Sequence, residues 1–268
     1  MESRLSGELG AQVVFTEGRG HATQLASSSR ADSLAVFGGD GTLAEVVNGM
    51  DLSRQRLLPL AGGTGNGLAR DLGLTSIERS FAAARAGRVQ SLDLIRVEWE
   101  GAAGAGSRLA ISTASVGYAA RVVALANAYF KRLGPWCYPL ASTIQAARQT
   151  RFPATLALDG GSPESRQVSN VMINNTRHAG NFRAFRAAQA ADGKMEVLIA
   201  TAGFWHQLLH NLAVLTGTYF YATAPERSAR SLVVEMPDPQ LLMIDGELWK
   251  GVSRAHFEIL PGRLQCLA

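Results

Sequence analysis

The sequence predicts an α/β domain over residues 1–90 followed by a β-rich domain over residues 91–268. Through the first third of the chain, short apolar runs alternate with amphipathic stretches, the pattern of a parallel sheet with covering helices. Beyond residue 90, strand-like runs follow one another between glycine and proline turns. A length of 268 residues with 47% hydrophobic side chains supplies the apolar material for such cores.

In the first domain, residues 11–15 read as a short strand and residues 23–30 as a helix. Residues 34–37 form an apolar strand that ends in glycines. Leu43, Val46, Val47 and Met50 then mark one helix face over residues 42–50. Thr42 and Glu45 are spaced as a capping box at its start. Residues 57–60 form a second buried strand, followed by glycines and a helix at 68–72. Thr75 and Glu78 are spaced to cap a helix ending near Gly87.

In the second domain, strands are expected at 90–99, 109–116, 154–158, 168–174, 196–201, 231–235, 241–244 and 255–260. Helical insertions are expected at 120–132, 140–150 and 204–216. Residues 101–106 read as a hairpin tip. The C-terminal tail is expected to return to the first domain.

The bulk numbers exclude several classes. The charged fraction of 18% argues against a disordered chain. The two cysteines, Cys137 and Cys266, have no metal-ligand spacing and fit a reducing, cytoplasmic compartment. The N-terminal residues lack the apolar core of a signal peptide. The most apolar stretch, 203–222, is interrupted by His206, Gln207, His210 and Asn211, so it makes a poor membrane span. The net charge is +4, carried mostly by arginine, since Lys131, Lys194 and Lys250 are the only lysines. Arginine suits phosphate-bearing or anionic partners. No nucleic-acid partner is expected.

The strongest local signal is Gly38-Gly39-Asp40-Gly41-Thr42 between a strand and a helix. Glycines let the backbone approach an anion, and free N–H groups at the helix start point at it. Asp40 is placed to hold a Mg²⁺ ion that neutralises phosphates. A second cluster, Gly62-Gly63-Thr64-Gly65-Asn66-Gly67, follows the next strand with the same logic. Ligands of parallel α/β sheets sit outside the carboxyl ends of the strands, so both loops can face one ligand. Neither loop is a Walker A sequence or a dinucleotide fingerprint.

These two loops, followed by Asp245-Gly246-Glu247, resemble the diacylglycerol kinase catalytic family, which includes bacterial lipid kinases and sphingosine and ceramide kinases. Supporting matches are Thr16 with Gly20-His21-Ala22, Ser115-Val116-Gly117-Tyr118, residues 174–180 and Asp192-Gly193-Lys194-Met195-Glu196-Val197. The resemblance spans residues 16–247. It implies a nucleotide-binding α/β domain like that of the NAD and diacylglycerol kinases, then a β-sandwich, with the active site in the cleft between them. It implies a kinase that moves the γ-phosphate of ATP to a lipid alcohol such as diacylglycerol, with transient contact at the inner membrane surface and a role in lipid metabolism. By the same resemblance Thr16, residues 38–44 (Gly38, Gly39, Asp40, Gly41 and Thr42 among them), Gly63, Thr64 and Asn66 serve ATP. Glu247 accepts the hydroxyl proton, with Asp40 and Asp245 as acidic partners. Asp192, with the carbonyls of Gln189 and Lys194, holds a Mg²⁺ ion. Arg177, Arg183 and Arg186 around Gly180 are candidates for phosphate or headgroup contact.

The sequence departs from the family pattern twice. Gly67 stands where many members carry an acid, which leaves a sphingoid acceptor open. The usual first strand with its Asn-Pro turn is missing before the first helix, and a cost in stability or activity is expected. Two other readings remain: an NAD kinase, which shares the Gly-Gly-Asp-Gly-Thr loop, and a catalytically silent protein that binds nucleotide or lipid.

Overall fold

The computed structural model describes residues 2–63, 65–148, 150–179, 182–183, 185–201 and 226–268. The predicted helix at 204–216 lies outside these residues, as do Thr64 and Gly180.

The chain opens with helices α1 (Glu2–Leu9) and α2 (His21–Ser28). Strand β1 (Ser33–Gly38), helix α3 (Asp40–Val47), strand β2 (Arg56–Ala61), and helices α4 (Gly67–Asp71) and α5 (Ile77–Ala86) follow. Next come β3 (Val89–Gly101), β4 (Gly104–Ala110), β5 (Thr113–Gly117) and α6 (Tyr118–Leu125). A π turn (Ala126–Phe130) and a 3₁₀ turn (Lys131–Trp136) carry α6 into α7 (Cys137–Ala147). The rest is β-rich: β6 (Phe152–Leu158), β7 (Glu164–Val168), β8 (Asn170–Asn174), the short β9 (His178–Ala179) and β10 (Phe182–Arg183), β11 (Met195–Ala200), β12 (Glu226–Ala229), β13 (Ser231–Ile244) and β14 (Glu247–Leu267).

One sheet runs β1-β2-β14-β13-β5-β8-β11-β12, with β3 and β4 branching from β14 and β6 and β7 from β13. The β1–β2 pair is parallel and the long pairings of the second half are antiparallel. An α/β domain is thus followed by a β-sandwich domain, as the sequence predicts. The sandwich core gathers Ile95, Val116, Ile173, Val197, Leu232 and Phe257, each fully buried. A separate core under α2 and α3 holds Leu43, Val47, Leu57, Leu94 and Cys266. Strand β14 serves both: its register runs along β3 and β13, and at Cys266 it pairs in parallel with Leu57 of β2.

Several local expectations need correction. Residues 11–15 form no strand; Val14 and Phe15 are exposed, and only Ala11 and Val13 reach a core. Helix α3 starts two residues early. The extended Gly39 is its N-cap, Thr42 and Leu43 donate their N–H groups to the Gly39 carbonyl, and no capping box forms. Ser76, not Thr75, caps α5 by accepting from Arg79 N, and Gly87 closes the helix at φ 63. The strand expected over 109–116 breaks at Ile111–Ser112, where the N–H groups leave the ladder for the Asp245 carboxylate. The strand expected over 168–174 divides at Ser169, whose N–H and hydroxyl both turn to the Ala200 carbonyl. The strands expected at 231–235 and 241–244 are one strand, β13, with a bulge between Glu235 and Gln240. Pro237 and Pro239 in that stretch carry no N–H for the ladder.

Candidate functional site

The two glycine loops lie against each other, and only glycine permits it. A Cβ on Gly63 would come within 2.3 Å of Gly39 Cα, and one on Gly62 within 2.8 Å of the Phe37 ring. Gly62 N donates to the Gly38 carbonyl at 3.2 Å. Asn66, in the left-handed region at φ 54, folds its side chain back on the loop. Its Oδ1 accepts from Gly63 N at 2.9 Å and its Nδ2 donates to the Gly63 carbonyl. Asp40 spans the loops: Oδ2 accepts from Gly67 N at 3.0 Å and Oδ1 from Leu68 N at 3.4 Å. Asp40 and Asn66 therefore spend much of their hydrogen-bonding capacity holding the loops together.

Helix α4 passes this link onward. Asp71 accepts from Arg177 N at 2.6 Å and pairs with His178 Nδ1. The His178 carbonyl accepts from the Ser112 and Thr176 hydroxyls. Ser112 N in turn donates to Asp245.

Asp245 and Gly246 form the two-residue turn between β13 and β14, closed by the Ile244–Glu247 pair. Both turn residues have positive φ, 45° and 89°, as a type I′ hairpin requires. The Asp245 carboxylate accepts three backbone N–H groups, from Ile111 at 2.7 Å, Ser112 at 3.1 Å and Thr113 at 2.9 Å. Enclosure of that carboxylate pushes its pKa up to about 7; the three N–H donors oppose the rise and the charge of Asp40 adds to it. Asp40 and Asp245, 205 positions apart in sequence, are thus close enough for their charges to interact.

Glu247 opens β14, half-buried, and pairs with Arg108 of β4 at 3.2 Å. Arg108 also lies over the Trp249 ring, 5.7 Å from its centre, which fixes the guanidinium on two sides. Sequence reasoning missed Arg108, because the contact depends on the β3–β4 hairpin meeting β14.

In the Gln189–Lys194 stretch, Ala190 packs against the core under α2 and α3. Asp192 is exposed, and its Oδ1 accepts from Lys194 N at 3.0 Å. Among the described residues no three His, Cys, Asp or Glu side chains cluster as metal ligands. One carboxylate and backbone carbonyls form an oxygen-only donor set, which fits a hard dication that keeps several waters. The stretch is anchored by Asp93, a second residue the sequence reading passed over. Asp93 is 3% exposed, and its carboxylate accepts from Gly193 N at 2.6 Å and Gly262 N at 2.7 Å. Its own N–H donates to the Ala190 carbonyl.

Thr16 is exposed and, among the described residues, makes no hydrogen bond to either glycine loop. His21 Nδ1 accepts from Glu17 N, a helix-start role. Arg177 Nε donates to the Ala188 carbonyl and the backbone N–H of Arg186 donates to Glu226, so Arg177 is partly committed to holding its own loop.

The comparisons with known proteins agree with this fold. Residues 2–97 match the diacylglycerol kinase catalytic domain, and residues 112–268 match the YegS C-terminal NAD kinase beta sandwich-like domain. A crystal structure described as a candidate diacylglycerol kinase from Bacillus anthracis str. Sterne superposes with a TM-score of 0.79 at 19% identity, covering 99% of this chain and 90% of the other. A second candidate diacylglycerol kinase structure from the same strain gives a TM-score of 0.73 at 20% identity, covering 94% and 84%. A third, described as a diacylglycerol kinase, gives 0.69 at 18% identity, covering 96% and 84%. At these identities the likeness speaks for the fold. No curated protein matches the chain. Glycine loops tied by Asp40, an Asp-Gly-Glu hairpin beside them and two adjoining domain matches lead to one assignment: the chain belongs to the diacylglycerol kinase catalytic-domain family, in the form that carries a YegS-type C-terminal β-sandwich.

Proposed function

We propose that this protein transfers the γ-phosphoryl group of ATP to the hydroxyl of a membrane lipid, diacylglycerol or a related lipid alcohol. One observation carries the reading. A run of hydrogen bonds from Asp40 through α4, His178 and Ser112 to Asp245 holds an anion-binding backbone and two acidic side chains in one fixed relation.

ATP enters as its Mg²⁺ complex. The backbone N–H groups of Gly38, Gly39 and Gly41 face its phosphates, with Gly63 admitting the close approach of the second loop and the hydroxyls of Thr42, Thr64 and Thr16 as further contacts. Phosphoryl transfer asks the protein mainly for positioning and charge stabilisation. The lipid oxygen attacks the γ-phosphorus, the bond to the β–γ bridging oxygen breaks, and ADP leaves. The hydroxyl proton passes to Glu247, which Arg108 keeps in a fixed direction. A carboxylate in this role contributes about 10²–10⁴-fold in rate. Asp245 and Asp40 shape the acidic wall beside it. Gln189, Asp192 and Lys194 would hold a Mg²⁺ ion that supplies positive charge to the loop Asp93 anchors.

Labelled ATP offered with diacylglycerol, monoacylglycerol, phosphatidylglycerol, sphingosine, ceramide and NAD tests the reading. Transfer to a lipid hydroxyl is expected. Transfer to NAD alone would make the chain an NAD kinase, and ATP binding without transfer to any acceptor would make it a silent binder.

A further inference from the structure

Five of the large apolar side chains left exposed on the described molecule fall within residues 129–140. They are Tyr129 (75% exposed), Leu133 (48%), Trp136 (69%), Tyr138 (41%) and Leu140 (41%). All lie on the arch from the π turn through the 3₁₀ turn into α7, where Gly134 at φ 56 breaks the helical run. The arch packs on α6 through a small core in which Val122, Ala126 and Ala141 are buried. Its outer aromatics are therefore surplus to folding. Five exposed large apolar side chains within twelve residues of a globular protein mark a contact surface.

Charge indicates what covers it. From residue 118 to 151 the sequence carries Arg121, Lys131, Arg132, Arg148 and Arg151 and no acidic residue. Arg121 is spent inside, on Gln240 and two backbone carbonyls. Arg132, Arg148 and Arg151 are exposed. A second copy of this chain would set the same positive charge against itself. An anionic bilayer matches both features, because Trp and Tyr rings sit at headgroup depth and arginine pairs with lipid phosphate. Among the described residues no helix is long and apolar enough to cross a membrane, so the contact is with its surface.

We propose that residues 126–140 form a docking element for an anionic lipid bilayer, seated by Tyr129, Leu133 and Trp136 and steadied by Arg132. The purpose of this docking rests on the lipid-kinase reading above. Strand β5, whose Thr113 N–H binds Asp245, leads through α6 into the arch, so docking would hold the domain that carries the Asp-Gly-Glu hairpin at the membrane that holds its substrate.

Flotation of the full chain with phosphatidylcholine vesicles, with and without phosphatidylglycerol, tests the proposal. The wild type is expected to float with the anionic vesicles, less with the neutral ones, and to be partly released by high salt. The double variant Tyr129→Ser/Trp136→Ser should lose about tenfold or more in vesicle affinity. Arg132→Glu should weaken binding to the anionic vesicles selectively. Both variants should keep the wild-type melting temperature, since the side chains are exposed. Turnover on detergent-dispersed diacylglycerol should be unchanged in both, while turnover on vesicles falls. If the kinase reading is wrong, turnover is absent and flotation alone still decides. The proposal is overturned if the wild type floats with neither vesicle or if the double variant floats like the wild type. It is also overturned if removing the aromatics changes the mass in solution while vesicle binding stays the same, for a second copy then covers the patch.

Discussion

Burial moves the Asp245 carboxyl well above the ordinary carboxylate range. Its backbone sits at φ 45 in a tight turn, and strain of that kind gathers at functional sites. With the native carboxyl titrating near pH 7 and the unfolded one near 4, the folded protein holds an extra proton between those values. That contribution to stability is fully present below about pH 4 and is lost as the pH rises towards 7. Asp245→Asn keeps the shape without the titration. The slope of melting temperature against pH between 4 and 7 should flatten in this variant, and an unchanged slope would mean that Asp245 titrates normally. Asp93 is buried, and its side chain ties Gly193 of the 189–194 loop to Gly262 of β14. Asp93→Ala should cost about 1–3 kcal/mol, because the two N–H groups lose their acceptor in a buried place; chemical denaturation measures it. The Asp-Gly-Glu pattern was visible in the sequence because a two-residue turn needs those residue types. The cradle of three N–H groups around Asp245 was not visible, since it exists only once residues 111–113 meet a turn more than 130 positions away.

At the scale of elements, the glycine loops were the most readable feature, because close backbone approach admits no other residue. Gly63→Ala puts a Cβ against Gly39 Cα, where no flexible side chain can yield. A loss of about 1–3 kcal/mol is expected from such overpacking, with weakened ATP binding, and calorimetry reads both. A variant that binds ATP as well as the wild type would show that the loops do not need this contact. Helix starts and strand ends were less readable. Capping sequences such as Thr42 with Glu45 compete with glycines that let the chain turn straight from strand to helix, and here Gly39 wins. The strand expected over 109–116 failed for a tertiary reason, its N–H groups being claimed by Asp245.

Across the whole molecule, β14 joins the two halves. Leu264 and Cys266 fill the core under α2 and α3, while Phe257 and Ile259 fill the sandwich core. Leu264→Ala should cost about 2–5 kcal/mol, seen as a lower denaturation midpoint. Loss of the β1–β2 half alone, with the sandwich intact, would show that the halves unfold separately. The alternation of elements disclosed two domains, but no periodicity could disclose one 21-residue strand shared between them, with an irregular register between Leu260 and Leu264. That shared strand also begins with Glu247, so the candidate base is built into the element that fixes both domains. The most direct test of phosphoryl transfer at this junction is turnover of Glu247→Gln on diacylglycerol, measured beside its affinity for ATP. The account predicts a rate loss of about 10²–10⁴-fold with ATP affinity within a few fold of wild type. Wild-type turnover in that variant would contradict it.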